Sequence, residues 1–451
     1  MTSRLRRTGR LALAVTALLA VTACAPGSGG GDDAKKEPAS DVETDVAAAG
    51  DVTLTVWDQE VRSGQDKPLK ELNAAFMDKY PNVTIKRVSR SFTDLQKQLR
   101  LAITGDDAPD VVQANNARAD MGAFVKAGLL RPLDPYAEAY GWGDRFPDTV
   151  RSVVSYSEDG QTFGEGNLYG LPLTGELVGV WYNKAKLADL GIEPPQTLAD
   201  FEAALDRAKQ AGEIPIQFGN LDQWPGIHEW GFAQNQFVPR DEIRNLGFGQ
   251  EGSSWTTDEN AAAAEAITGW ADKGYFTKGF NGLGYDPSWQ AFVKGDGVFL
   301  VSGTWLLADL SAGLKDDLGF MLPPVGETGE LAVTGSTGLP FSVTEASENP
   351  DVAAAYLDFI TSEDAMAKIS AAGGLPVVDI EAQQPSGTQA EVFDAWAKAT
   401  GEDALVPYLD WATPDATDVV PTEVQQLLGG DRSVDDFLGA LEDDYSSFTG
   451  G

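Results

Sequence analysis

The hydrophobic positions after residue 50 follow two different periods, which predicts strands and helices in turn. Leu54 and Val56 alternate with polar residues, as in a strand, and apolar residues between 69 and 76 then recur every three or four positions, as in a helix. A second strand is predicted at 83–88, a second helix at 92–103 and a third strand at 110–113. Strands and helices that alternate at this spacing are typical of a mainly parallel sheet covered on both faces.

The same kind of pattern returns further along the chain. Apolar runs predict strands at 177–182, 214–218 and 297–301, and a helical period predicts a helix at 198–211. A chain of 451 residues is long enough for about two to three domain-sized units. We therefore predict an α/β fold that is divided into two lobes.

The first 50 residues have a different character. Four Arg precede an apolar run at 11–21, which is shorter than the about 20 residues that a membrane-spanning helix needs. This pattern predicts a signal peptide over residues 1–23. Cys24 follows Val21-Thr22-Ala23, an arrangement that resembles the bacterial lipobox, in which the Cys carries lipid and becomes the new N-terminus; the alternative is an ordinary signal peptide with a chance Cys. Residues 24–50 are rich in Gly, Ser, Ala and charge, which predicts a flexible tether.

Composition excludes several classes of protein. The 69 acidic and 33 basic residues give a formal net charge of −36, which argues against sequence-independent binding of nucleic acid. One Cys and one His, His228, exclude an intramolecular disulfide, a multi-Cys metal site and a site with two His ligands. No run of 18 apolar residues follows Cys24. We therefore expect an exported, acidic protein without a cofactor or a metal.

Polar and aromatic side chains follow several of the predicted strands. Open α/β sheets bind ligands beyond the carboxyl ends of their strands. A sugar presents hydroxyls around its ring and C–H groups on its faces, so flat aromatic rings and planar amides or carboxylates suit it. The simpler alternatives are core packing for the Trp residues and helix capping for Asn116. The candidate ligand-binding residues are Asp58, Gln59, Asn115, Asn116, Glu176, Asp222, Trp224 and Trp305.

Several segments together resemble one family. They include LTVWDQ at 54–59, NAAFMDKYPNVTIK at 73–86, FVKGDGVFLVSGTWLLADL at 292–310 and NPDVAAAYLDFITSEDAMAKI at 349–369. In this order they resemble bacterial extracellular solute-binding proteins of the carbohydrate ABC-uptake class, the maltose-binding-protein-like family. The resemblance extends from Asp51 to Phe448.

The resemblance implies two α/β lobes joined by a hinge of several crossing segments, near 174–176, 335–338 and 407–414. Lobe 1 would hold residues 51–173 and 337–406, and lobe 2 residues 177–334 and 411–448. A sugar would bind in the cleft, the lobes would close over it, and the transmembrane subunits of an ABC permease would receive it. The protein would be a monomer, lipid-anchored to the outer face of the bacterial cell membrane after removal of the signal peptide.

The resemblance also implies roles for single residues. In the family, a Glu six residues before a Tyr-Asn pair contacts sugar hydroxyls, and Glu176 stands at that spacing from Tyr182. The loop of Asn115 and Asn116 would supply further contacts. The turn Ser302-Gly303-Thr304-Trp305 would present its Trp as a platform for the sugar ring.

Two other functions remain open at this point. The same fold could bind a non-sugar solute such as a polyamine, because the chain is rich in acidic residues. A glycoside hydrolase needs two carboxylates across the scissile bond, and composition alone does not exclude such a pair. A Gly-x-Ser-x-Gly elbow, a dinucleotide fingerprint after the first strand and a Walker A motif are not found in the sequence. We therefore expect a binding protein and not an enzyme.

Overall fold

The computed structural model describes residues 42–450. The predicted signal peptide, Cys24 and the tether up to residue 41 lie outside the described residues. The strands within this range are β1 Val52–Asp58, β2 Val83–Ser89, β3 Val111–Gln113, β4 Ser155–Tyr156, β5 Asn167–Leu168, β6 Gly175–Asn183, β7 Phe299–Gly303, β8 Leu318–Met321, β9 Val333–Thr337, β10 Phe341–Val343 and β11 Leu405–Val406.

Helices make up most of the rest, and several begin at a polar side chain that accepts a bond from the backbone. Ser91, Thr197 and Ser433 each cap a helix in this way, which satisfies one of its free N–H groups. The helices are α1 Ser63–Lys79, α2 Phe92–Ala102, α3 Ala123–Lys126, α4 Asp134–Tyr140, α5 Trp142–Arg145, α6 Asp148–Ser152, α7 Lys184–Leu190, α8 Leu198–Gln210, α9 Trp224–Phe237, α10 Arg240–Gly247, α11 Asp258–Asp272, α12 Tyr285–Val293, α13 Leu307–Leu314, α14 Pro350–Ile360, α15 Glu363–Ala371, α16 Thr388–Gly401, α17 Ala416–Gly429 and α18 Val434–Thr449.

The first sheet has the strand order β10-β3-β1-β2. Strand β1 pairs in parallel with β2 and β3, and β10 joins the edge in the antiparallel direction. Residues of β1 alternate between buried and more exposed positions, as the sequence pattern predicts. The prediction of a parallel arrangement is therefore confirmed for this sheet, apart from its antiparallel edge.

The second sheet has the order β11-β9-β6-β7, with β8 also paired to β6. Strand β6 is antiparallel to β7, β8 and β9, so the prediction of a mainly parallel arrangement is wrong here. The strand predicted at 214–218 is reduced to isolated bridges of Ile216 with Phe276 and Phe299. Pro215 has no N–H to donate to a neighbouring strand, which limits regular pairing at this point.

Two of the three predicted crossing segments are paired with each other in the second sheet, where β6 begins and β9 ends. Gly175 pairs with Thr337 and Leu177 with Gly335, in the antiparallel direction. The N–H of Gly338 donates to the carbonyl of Thr174 at 2.9 Å, and a Cβ on Gly338 would overlap the Thr174 side chain. The close approach of the two chains therefore requires glycine at 338.

The packing of α16 and β11 differs from the predicted lobe boundaries. The sequence places residues 337–406 in lobe 1, whereas α16 packs on β8 and β11 pairs with β9 of the second sheet. The Glu391 carboxylate accepts from the backbone N–H of Phe320 at 2.8 Å, and Trp396 is buried in the apolar cluster that contains Trp181. These contacts attach residues 388–406 to the second sheet.

The end of the predicted tether is also ordered. Residues 46–49 form a 3-10 helix, and Val46 is buried in the core. The side-chain amide of Asn82 donates to the carbonyls of Val46 and Gly50 at 2.9 and 2.7 Å. Residues 46–50 therefore belong to the folded part of the chain. Of the helices between residues 42 and 450, none is long and apolar enough to cross a membrane.

Candidate functional site

A cavity of about 90 Å³ lies where the ends of β1, β3 and β6 meet the start of α9. The polar residues of its wall are Gln59, Arg62, Asn115, Asn116, Glu176, Thr337 and Asp410. The aromatic residues of its wall are Phe92, Trp224, His228, Trp305, Tyr408 and Trp411. Planar polar groups and flat rings therefore line the same cavity.

Hydrogen bonds hold the loops that follow β1 and β3 in place. The backbone N–H of Gln59 donates to the side chain of Gln113 at 2.8 Å, and the Gln113 amide donates to Glu60 at 2.8 Å. The side-chain amide of Asn116 donates to the carbonyl of Val153 at 2.6 Å. The backbone carbonyl of Asn116 accepts from the Tyr156 hydroxyl at 2.6 Å. These bonds set the polar side of the cavity before any ligand enters.

Trp305, one of the aromatic residues of the cavity wall, lies in the turn after β7. A Cβ on Gly303 would overlap the ring of Trp305, so glycine lets this half-buried ring fold back against the end of the strand. The indole N–H of Trp305 donates to the hydroxyl of Tyr285 at 2.5 Å, and that hydroxyl lies 2.8 Å from Ser302 Oγ. The Trp224 ring lies 4.4 Å from Tyr285 and 6.4 Å from Trp305, measured between centroids.

Two buried carboxyl groups belong to this region: Glu176 lines the cavity, and Glu60 lies behind the lining, bonded to Gln113. Burial and the nearby charge of Glu60 raise the pKa of Glu176 to about 8, although Arg62 opposes the shift. Burial likewise raises the pKa of Glu60 to about 7, against a hydrogen bond from Gln113. Glu176 is therefore mostly protonated at pH 7, and a protonated carboxyl can donate as well as accept a hydrogen bond.

His228 and the segment around Tyr408 complete the wall. Burial lowers the pKa of His228 to about 3, so the imidazole is neutral at pH 7. Both of its ring nitrogens and the Tyr408 hydroxyl are buried without a partner within residues 42–450. Burial also raises the pKa of Asp410 to about 7. Unpartnered buried polar atoms are costly, so these groups are free to bind a ligand that offers them hydrogen bonds.

The family follows from a comparison with known proteins. A family model described as bacterial extracellular solute-binding protein matches residues 62–367, more than half of the chain. The chain belongs to that family. Among relatives of this solute-binding protein, the multiple sugar-binding protein of Streptococcus mutans is 23% identical over 333 residues, which are 72% of this chain and 75% of the relative.

Solved structures share the fold of this solute-binding protein. A chitin oligosaccharide binding protein has a TM-score of 0.74 at 21% identity, over 88% of this chain and 99% of the other. The GacH receptor of Streptomyces glaucescens, solved without ligand and with acarbose, has a TM-score of 0.72 at 21% identity, over 88% and 98% of the two chains. The two-lobed α/β fold that the sequence predicts is thereby confirmed.

Six of the eight residues predicted to bind ligand in this solute-binding protein line the cavity: Gln59, Asn115, Asn116, Glu176, Trp224 and Trp305. Asp58 and Asp222 lie outside the lining. The Asp58 carboxylate is fully buried and receives two bonds of 2.7 Å from Arg87. The exposed Asp222 accepts from the backbone N–H of Tyr285 at 2.8 Å and so fixes the start of α12. Their partners favour a supporting role, and direct contact with ligand stays a prediction.

Sequence reasoning did not select several other wall residues of the solute-binding protein. His228 stands four residues after Trp224 on α9, so the helical period alone places it on the same face. Tyr408 and Asp410 fall in the third predicted crossing, 407–414, and were predicted there only as part of a hinge segment. Arg62 follows the loop of Gln59, but its place in the wall depends on the fold around it.

Proposed function

We propose that this protein is the substrate-binding component of an ABC importer and that it captures a sugar in the cavity. The observation that carries the proposal is the wall itself, in which aromatic rings and planar polar groups line one cavity. The similarity to a multiple sugar-binding protein in sequence and to a chitin oligosaccharide binding protein in fold supports a carbohydrate ligand. The transmembrane subunits of a permease are the proposed partner, and no turnover of the sugar is expected.

The proposed binding roles follow the chemistry of each group. Trp224 and Trp305 offer ring faces to the C–H groups of the sugar. Gln59, Asn115 and Asn116 offer planar amides to its hydroxyls. Protonated Glu176 donates to one hydroxyl oxygen and accepts from another.

Contacts across the cleft support a closed arrangement of the two lobes. Arg62 lies 3.4 Å from the Asp286 carboxylate, and the Ser63 hydroxyl donates to Asp309 at 2.6 Å. These bonds connect the start of α1, beside the first sheet, with α12 and α13 beside the second. We propose that the paired segments near Gly175 and Gly335 are part of the hinge and that residues 388–406 move with the second lobe.

A thermal-shift screen tests the proposed function directly. Residues 25–451 would be screened against monosaccharides and oligosaccharides, with spermidine as the non-sugar comparison. A sugar that binds only the folded state, present at about 100 times its dissociation constant, should add about 2.7 kcal/mol to the free energy of unfolding. Stabilisation by spermidine with no response to any sugar would instead favour the polyamine alternative.

Replacing Trp305 by Ala tests whether Trp305 is a platform for the sugar ring or a residue of the hydrophobic core. We expect the affinity for sugar to fall ten-fold or more, about 1.4 kcal/mol per decade, because a stacking face is lost. Trp305→Phe should recover part of the affinity by restoring a flat ring. Calorimetric titration and a melting curve on the same protein provide the measurements. A loss of about 3–5 kcal/mol in stability with unchanged affinity per folded molecule would assign Trp305 to the core.

We further propose that Cys24 carries lipid and holds the mature protein at the outer face of the bacterial membrane. Cys24→Ala should then release the protein or leave the signal peptide attached, because the acyl chains that anchor it are missing. Mass spectrometry of the membrane fraction provides the measurement. An unmodified Cys24 in mature, membrane-associated protein would contradict the proposal.

A further inference from the structure

Some residues of the cavity wall carry a buried polar atom that has no hydrogen-bond partner among the described residues: Arg62, His228, Thr337 and Tyr408. Arg62 still bonds to Asp286 through another of its nitrogens. In His228 both ring nitrogens are unpartnered, and in Tyr408 the hydroxyl is. Folded proteins rarely leave such groups unbonded, because burial takes their bonds to water away. The fold alone therefore does not account for the polar atoms of His228 and Tyr408.

The two side chains are neighbours in the aromatic part of the wall. The centroids of the His228 and Tyr408 rings lie 5.8 Å apart, at an interplanar angle of 71°. The imidazole also packs against Trp305 at 5.4 Å and Trp224 at 5.6 Å. His228 belongs to α9, which packs on the 3-10 helix Leu409–Trp411 that follows Tyr408. The fold thus holds both side chains beside the rings that are proposed to stack on the sugar.

Both groups are uncharged at pH 7. Burial lowers the pKa of His228 to about 3. Burial is also the main cause that raises the pKa of Tyr408 well above its ordinary value, and the neighbouring Glu176 and Asp410 act in the same direction.

The neutral pair can both donate and accept hydrogen bonds. A neutral imidazole has one N–H donor and one acceptor nitrogen, and a phenol hydroxyl can do both as well. A sugar hydroxyl has the same double capacity, whereas an ammonium group only donates and a carboxylate only accepts. A polyamine would therefore leave the N–H of His228 and the O–H of Tyr408 without an acceptor. The chemistry of the pair matches a ligand that presents hydroxyl groups.

We propose that His228 and Tyr408 are specificity-determining residues that exchange hydrogen bonds with hydroxyls of the bound sugar. The proposal rests on the proposed function, because it needs a sugar in the cavity. It assigns these two polar groups to the ligand and not to the fold. Replacing an unpartnered buried polar group by an apolar one of the same shape is close to neutral or stabilising. Loss of the polar atoms should therefore weaken binding without weakening the fold.

Tyr408→Phe is the main test, since it removes the hydroxyl and keeps the ring. Calorimetric titration of residues 25–451 would use whichever of glucose, galactose, xylose, N-acetylglucosamine, maltose, lactose and xylobiose binds most tightly, followed by the monodeoxy analogues of that sugar. Tyr408→Phe should bind the sugar about ten-fold more weakly and keep or raise its melting temperature. One deoxy analogue should bind the unchanged protein about ten-fold more weakly than the parent sugar, and this difference should disappear in Tyr408→Phe, because the contact is already lost.

Two replacements of similar size test His228. His228→Gln keeps a donor and an acceptor, so it should retain more affinity than His228→Leu, which has neither. Tyr140→Phe is the matched control, because Tyr140 also has a buried hydroxyl without a partner in the described part of the chain but does not line the cavity. This control should leave the affinity for sugar unchanged.

The outcomes separate the pair from the proposed function. If a sugar binds and Tyr408→Phe binds it as tightly as the unchanged protein does, the role of Tyr408 is overturned and sugar binding stands. A weaker affinity with the same deoxy differences in both proteins also overturns that role. Equal affinities in His228→Gln, His228→Leu and the unchanged protein overturn the role of His228, and this comparison decides if Tyr408→Phe does not fold. If no sugar of the panel binds the unchanged protein, the proposed function fails and the pair with it.

Discussion

Replacing Asp58 by Ala is expected to lower the free energy of unfolding by about 3–5 kcal/mol, because it leaves a buried guanidinium without its main partner. The Asp58 side chain has no exposed surface, and Arg87 is one-tenth exposed. The carboxylate accepts two bonds of 2.7 Å from Arg87 and one of 2.9 Å from the backbone N–H of Glu60. Its loss therefore removes a charge pair and frees the loop that carries Gln59.

Chemical denaturation of the variant measures this effect, and Asp106→Ala is the matched control because Asp106 is exposed in a loop. The control should change stability by less than about 0.5 kcal/mol, as surface substitutions usually do. The double variant Asp58→Ala with Arg87→Met should be more stable than Asp58→Ala alone, since it removes a mostly buried guanidinium whose remaining ion pair is with the more exposed Asp66. Unchanged stability in Asp58→Ala, together with a large loss of sugar affinity, would contradict the structural role and show that Asp58 contacts the ligand.

The difference between Asp58 and Gln59 shows what the sequence could not decide. Both follow the first predicted strand, and both have side chains that suit a sugar. Successive side chains of an extended segment point to opposite sides, so only one of two neighbours can face the cavity. Which one does so depends on Arg87 of the adjacent strand β2, and a pairing between strands is not visible in the sequence of either.

In the fold, too, the local pattern predicts individual helices and strands but not how the strands pair. The hydrophobic period was sufficient for β1, β2 and α2, which lie close to their predicted positions, whereas α1 begins at Ser63, before the apolar positions at 69–76 that predicted it. Strand β6 is buried along its whole length, and a continuous apolar run does not distinguish a parallel neighbour from an antiparallel one. Glu176 and Trp305 line one cavity, as the family resemblance implied, and Trp224, selected from its loop after a predicted strand, lines it with them.

Glu176→Gln is expected to remove a large part of the pH dependence of stability. Burial, with the charge of Glu60 as a second cause, raises the pKa of folded Glu176 from 4.5 to about 8. Between these two pH values the folded protein binds more protons than the unfolded chain, so the free energy of unfolding falls as pH rises and levels off above about pH 8. A shift of this size corresponds to at most about 5 kcal/mol between pH 4 and pH 9.

From pH 5 to pH 9 the free energy of unfolding should therefore fall less in Glu176→Gln than in the unchanged protein. Urea titrations at several pH values, without sugar, provide the measurement. Glu330→Gln is the control because Glu330 is exposed, and its stability should stay parallel to that of the unchanged protein. A residual slope should remain in Glu176→Gln, since burial also raises the pKa of Glu60 and Asp410 to about 7. Parallel plots of unfolding free energy against pH for Glu176→Gln and the unchanged protein would mean that Glu176 is ionised in the folded state at pH 7. An ionised Glu176 could not donate the proposed hydrogen bond to a sugar.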